Sequence, residues 1–220
     1  MIPVISVVGF VRSGKTSFIE KMVVELKRRN YKVGALKHST HSFEIDSPGK
    51  DSYRLKECGS DVGGIFSSTR MALVKDLATE INFEKLAFEY LYDLDIVFIE
   101  GYKKGRFPKI LLLTSNDVEK EVAEYPREDI VAVVGDRKIE KVDPSLKYFG
   151  KYEIKKVVDF IEEKYLKKDS YEAVDLFVND KGIELNAYLK KLIGNVITGI
   201  IKSLKGVEGD IKAVEIKYRK

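Results

Sequence analysis

The residues Gly9-Phe10-Val11-Arg12-Ser13-Gly14-Lys15-Thr16 satisfy every fixed position of the pattern G-x-x-x-x-G-K-[ST]. Chemistry at such a loop is phosphate chemistry. Gly9 and Gly14 let backbone N–H groups approach the phosphates, Lys15 reaches the β and γ groups, and the Thr16 hydroxyl ligates magnesium. Magnesium needs a further partner, normally a carboxylate at the C-terminal end of a neighbouring buried strand. Asp95-Ile96-Val97-Phe98-Ile99-Glu100-Gly101 supplies one in Glu100, whereas Asp95, at the other end of the same run, reads as structural.

A second concentration of reactive groups lies between Lys37 and Arg54. The stretch carries both histidines, His38 and His41, the carboxylates Asp46 and Asp51, and the cations Lys50 and Arg54. It is long for a strand-to-helix connection, and long loops that persist in α/β domains are usually functional. Leaving the C-terminal end of a strand puts it on the same rim as the phosphate loop, where open α/β sheets bind ligands. Asp46 and Asp51 are candidates for the magnesium shell or a substrate, and Lys50 and Arg54 for phosphate. Two imidazoles without a nearby cysteine make a poor transition-metal site. Cys58 reads as a small residue in a helix.

These groups need a frame. Ile2–Val8 is a β-branched run ahead of the glycine loop, and Phe18, Ile19, Met22, Val23 and Leu26 follow it at helical spacing. A strand, a glycine turn and a helix N-terminus in that order point several N–H groups at one anion. Tyr31–Lys37, Leu94–Ile99, Ile110–Leu113 and Ile130–Val134 read as further strands. Asp51–Cys58, Phe83–Leu91 and Ile154–Leu166 read as helices, and Val62–Phe66 with Met71–Val74 as a hairpin. The expected class is α/β: a three-layer P-loop NTPase domain with a mostly parallel sheet over residues 1–168. Beyond a charged break at Lys167-Lys168-Asp169-Ser170, residues 171–220 are expected to form a small ββαβ module. A hairpin turns at Asn179-Asp180-Lys181-Gly182, a helix is capped by Asn186, and Ile211–Tyr218 makes a closing strand.

The net charge of +4 comes from 39 basic and 35 acidic residues scattered among one another. That is a solvated surface, not a nucleic-acid footprint. A single cysteine excludes an internal disulfide and multi-cysteine metal sites. The chain starts directly on a strand and has no apolar run of membrane-spanning length, so a cytoplasmic protein with no membrane partner is expected. The abundance of Lys and Glu and the lack of glutamine resemble proteins from hot environments.

Taken together, GFVRSGKT, KHSTHSFEIDSPGKDSYR followed by Cys58-Gly59, DIVFIEGYK, and Pro108-Lys109 resemble the molybdopterin-guanine dinucleotide biosynthesis adapter proteins, the MobB family, over most of residues 1–168. The resemblance implies a usually dimeric GTP-binding protein that assists a MobA-type guanylyltransferase in attaching GMP to molybdopterin and hydrolyses GTP slowly. Carried over by position, Gly9, Arg12, Ser13, Gly14, Lys15, Thr16 and Ser17 would hold the phosphates with Mg2+, and Glu100 would complete the metal site. The His38–Arg54 loop would face nucleotide or pterin. The C-terminal module is not part of the minimal family plan.

Guanine preference has no N-K-x-D signature here. Asp136, after the strand Val131–Val134, is the candidate acceptor for guanine N1 and N2 hydrogens, with Ser115-Asn116-Asp117 a weaker one. Phe10 stands where dimerising ATPases of the MinD kind carry a lysine that crosses to the partner's nucleotide. With no glutamine to orient water, hydrolysis is expected to be slow. Two other readings share the scaffold. A small-molecule kinase or ligase would use Asp46 or Asp51 as base and Lys50 for substrate; a metallochaperone GTPase would use His38 and His41.

Overall fold

The computed structural model describes residues 2–79, 83–114, 118–136, 145–166, 174–178, 181–206, 214 and 216. Residues 2–167 form one compact unit, and residues from Lys168 onward belong to a second. In the first, six strands lie side by side: β1 (Val4–Gly9), β2 (Val33–Lys37), β5 (Ile96–Glu100), β6 (Lys109–Leu112), β7 (Ile130–Gly135) and β8 (Tyr148–Gly150). Their order across the sheet is β2-β5-β1-β6-β7-β8, and every pairing is parallel. Parallel pairs need crossovers, and a sheet covered on both faces selects continuous apolar runs. Ile96, Val97, Phe98 and Ile99 are accordingly all buried.

Alternation along each strand divides the core in two. Ile5, Val7, Ile110, Leu112, Ala132 and Val134 face α1 (Lys15–Arg28) and α5 (Ile154–Ile161), burying Met22, Leu26, Val157, Val158 and Ile161 with them. Val8, Leu111 and Val133 face the other way, toward Tyr125 and the short α4 (Val118–Ala123). Two cores around one sheet make the three expected layers. Each fully buried Ile, Leu or Phe contributes about 1.5–3 kcal/mol, so the central strands hold their register firmly, and with it the groups at their C-terminal ends.

Other elements follow the sequence with adjustments. α2 (Asp51–Glu57) and α3 (Phe83–Tyr90) form where expected. β3 (Val62–Phe66) and β4 (Met71–Lys75) pair antiparallel as a separate hairpin. The helix read as Ile154–Leu166 stays α-helical only to Ile161 and widens into a π turn over Glu162–Leu166. That turn carries Glu162, which accepts from Arg29 at 2.6 Å and from the Tyr31 hydroxyl at 2.6 Å. These bonds hold Glu162 below the usual carboxylate range and, with burial, push Tyr31 up to about 12.

In the second unit, β9 (Leu176–Val178) pairs antiparallel with β10 (Lys181–Ile183), which begins inside the four residues read as the turn. α6 (Ala187–Lys202) is capped by the Asn186 side chain accepting from the Leu189 N–H at 2.9 Å. Ser115-Asn116-Asp117, Asn179-Asp180 and all but Val214 and Ile216 of the last expected strand lie outside the described residues.

Candidate functional site

The glycine loop joins β1 to α1 on the C-terminal rim of the sheet. Gly9 has φ 147°, and a Cβ there would sit 2.5 Å from the Leu112 carbonyl oxygen and 3.0 Å from Ser13 Oγ, so only glycine fits. Arg12, at φ 61°, and Gly14, at φ 82°, both take left-handed conformations, and Gly14 caps α1 without a side-chain bond. The first turn of α1 contains no acidic residue. Its N–H groups and the helix dipole therefore favour an external anion.

Lys15 folds over this loop, its ammonium donating to the Phe10 carbonyl at 2.7 Å, the Gly9 carbonyl at 3.2 Å and Ser13 Oγ at 3.2 Å. Burial lowers its pKa, opposed by the charge of Glu100 and reinforced by Lys103 and Lys37. The Thr16 hydroxyl donates to Glu100 Oε2 at 2.7 Å. β5 lies beside β1 with Val7 opposite Glu100, which is why residues so distant in sequence meet. A hydroxyl and a carboxylate side by side are hard oxygen donors of the kind magnesium takes, so the pair fits that ion.

His38 also belongs to this rim. Its backbone N–H donates to the Glu100 carbonyl at 3.1 Å, and its ring lies 4.5 Å from that of Tyr102. Tyr102 is a non-glycine residue at φ 56°, following Gly101 at φ 84°. The remaining loop candidates stand apart. Asp46, Lys50, Asp51 and Arg54 have no hydrogen bond or ion pair to the phosphate loop among the described residues. Arg54 instead lies 3.8 Å from Asp51, and the Ser52 hydroxyl and Ser47 N–H hold Asp46 below the usual carboxylate range. A carboxylate so lowered is a weaker base. His41 engages Ser39 through its backbone, and among the described residues no three His, Cys, Asp or Glu side chains cluster as metal ligands. Cys58 ends α2, exposed, its thiol donating to the Leu55 carbonyl at 3.0 Å.

A cavity of about 90 Å3 opens beside the loop, lined by Ser13, Gly14, Ser17, Leu113, Gly135 and Lys151. Asp136 follows at its edge, exposed, with Lys151 Nζ 3.9 Å from its carboxylate. The Tyr148 hydroxyl donates to the Gly135 carbonyl, steadying that edge. A larger groove of about 600 Å3 runs between the outer side of α1 and Tyr152–Lys156, but no phosphate-loop residue lines it.

Two groups near the site stand in motifs quoted from the sequence but were given no role there. Lys109 is wholly buried, donating to the Gly105 carbonyl at 2.6 Å, the Phe107 carbonyl at 3.2 Å and Asp129 at 2.7 Å. It ties the loop after Glu100 to the sheet. Lys103, on that loop, lies 2.9 Å from Glu124 and 6.0 Å from the centre of the Phe10 ring. It is the last residue of the DIVFIEGYK run, whose resemblance assigned it nothing.

The family model for molybdopterin guanine dinucleotide synthesis protein B matches residues 4–136, from the first strand through Asp136. The chain belongs to this family, MobB. A molybdopterin-guanine dinucleotide biosynthesis adapter protein of Haemophilus influenzae is 34% identical over 164 residues, 73% of this chain and 88% of its own length. A putative adapter protein of the same description from Methanocaldococcus jannaschii is 25% identical over 93% of each chain, so its match includes the C-terminal unit. The crystal structure of Bacillus subtilis MobB superimposes with a TM-score of 0.62 at 24% identity, covering 76% of this chain and all of that one, and shows the shared fold.

Proposed function

We propose that the protein is an adapter in molybdopterin guanine dinucleotide biosynthesis that binds GTP with Mg2+ and presents it to a MobA-type guanylyltransferase, molybdopterin being the second substrate of that enzyme. The observation that carries the nucleotide reading is the Thr16–Glu100 pair beside Lys15 at the N-terminus of α1. Backbone N–H groups of residues 9–17 would meet the phosphates, and Lys15 would exchange its loop carbonyls for phosphate oxygens. Thr16 and Glu100 would hold the ion, which supplies charge neutralisation between the β and γ groups. His38, bonded to the Glu100 backbone, would border the metal side, with Lys50 and Arg54 on the same connection. Asp136, at the edge of the small cavity, would accept from guanine N1 and N2.

Hydrolysis by the isolated protein should be slow, far below the enzyme median of about 10 per second, because no glutamine is available to orient water. Phe10 offers no cation to a partner's nucleotide. The homodimer expected of the family would cover Ile65, Phe66, Met71 and Leu73, which the small β3–β4 hairpin leaves exposed. No helix among the described residues is long and apolar enough to cross a membrane. A cytoplasmic setting without nucleic-acid partners agrees with the mixed charge of the surface.

Calorimetric titration with GTP and ATP, with and without magnesium, tests the reading. Magnesium-dependent binding tighter for GTP is expected, and Asp136→Asn should weaken GTP more than ATP. Equal losses for both nucleotides would remove Asp136 from the base site.

A further inference from the structure

The loop after Glu100 is built in a way that phosphate-loop chemistry alone does not require. Gly101 and Tyr102 are consecutive left-handed residues, at φ 84° and φ 56°. A tyrosine in that region is strained, and strain of this kind is retained where the surroundings impose it. The imposition is visible: the Tyr102 ring packs tilted against His38 with centroids 4.5 Å apart and lies 5.9 Å from Phe107, while buried Lys109 holds the Gly105 and Phe107 carbonyls. The double turn delivers the next residue, Lys103, back over the phosphate loop. Its ammonium lies 6.0 Å from the Phe10 ring centre, within cation–π range, and 5.4 Å from that of Tyr125.

The geometry points to Lys103 as a second cation of the phosphate site, one that recognises the terminal phosphate of a nucleoside triphosphate and so separates triphosphate from diphosphate. This rests on the nucleotide reading above and goes beyond it, because Lys103 lies outside the glycine loop. Phe10, whose carbonyl accepts from Lys15, has no charge to offer; its ring instead supports a cation arriving from the loop after β5. Lys103 is about half exposed, and its carboxylate partner, Glu124 at 2.9 Å, is also open to solvent. An ion pair so exposed contributes little to stability. A terminal phosphate carries more negative charge than one carboxylate, so exchange of Glu124 for a phosphate oxygen is favourable.

The test is titration of the full chain with GDP, a non-hydrolysable GTP analogue and the matching ATP analogue. Native protein, Lys103→Ala, Lys103→Arg and Glu124→Gln are compared, with thermal melts to verify folding. Lys103→Ala should weaken both triphosphates about tenfold, the scale of one charged hydrogen bond, and GDP less than about twofold. Lys103→Arg should restore most of the triphosphate affinity, and Glu124→Gln should raise it by releasing the lysine. Equal losses for GDP and the triphosphates, or no loss in Lys103→Ala, would overturn the inference. Because Lys103 meets phosphate and not base, its effect is expected with the adenine analogue too. Absence of guanine preference in the native protein would thus defeat the GTP reading while leaving the Lys103 result readable; native protein that binds no triphosphate defeats both.

Discussion

Replacing Gly9 by alanine separates two costs that the phosphate loop combines. At φ 147° any side chain is strained, and its Cβ would also stand 2.5 Å from the Leu112 carbonyl oxygen, a backbone atom on the adjacent strand that cannot swing away. Gly14, at φ 82°, would add a Cβ with nothing within 4 Å. Gly14→Ala therefore meets only the backbone penalty, about 1–2 kcal/mol for a left-handed residue. Gly9→Ala meets a comparable penalty of about 1–3 kcal/mol plus an overpacking cost of about 1–3 kcal/mol as β1 and β6 separate at the rim. For a chain of this size each kcal/mol shifts Tm by about 2–4 °C, so the second variant should melt roughly 2–12 °C below the first. Circular dichroism melts, paired with titration of a fluorescent GTP analogue, read both consequences. Gly9→Ala melting at or above Gly14→Ala would show that the close approach to Leu112 does not constrain the loop.

Thr16→Val and Glu100→Gln should each remove most of the magnesium-dependent gain in nucleotide affinity, about 10–100-fold as for other losses around a metal; titrations with and without magnesium measure it. Lys109→Met leaves Asp129 and two carbonyls without their ammonium, and urea unfolding should show a loss of about 3 kcal/mol, the scale for breaking a buried ion pair. Glu162 titrates low because Tyr31 and Arg29 bond its charged form. Its contribution is fully present above the ordinary glutamate value and is lost as pH falls through the lowered one. The stability gap between native protein and Glu162→Gln, followed by denaturation from pH 7 down to 2, should therefore close in acid; a gap that widens there would contradict the assignment.

The glycine loop, the apolar run ending in Glu100 and the Asn186 cap were legible because each is local: spacing or residue type alone specifies the backbone. β8 was not, since three residues make no period, and only pairing with β7 defines Tyr148–Gly150 as a strand. α4 was missed because its sequence Val-Glu-Lys-Glu-Val-Ala is half charged, yet Glu121 is buried and accepts from the Thr114 N–H at 3.2 Å. Lys109 is the sharpest case. Beside Pro108 it has the look of a surface lysine, and its burial arises from loop carbonyls and Asp129, which no window of sequence contains. The pairing of Thr16 with Glu100 was expected from the logic of the motif, whereas the contact of His38 with the Glu100 backbone needed the β2-β5-β1 order.

That strand order also governs when the site comes into being. β1 leads the sheet in sequence but has no early neighbour: Val4 pairs with Val97, and Gly9 with Leu112. During synthesis the complete consensus loop emerges long before the strands that fix it, and such distant pairings make folding slow because chain closure must precede any gain from contact. A growing chain that ends short of Leu112 carries the nucleotide signature without the means to shape it. The close approach of Gly9 to the Leu112 carbonyl, which shapes the loop, therefore cannot exist until β6 has paired with β1.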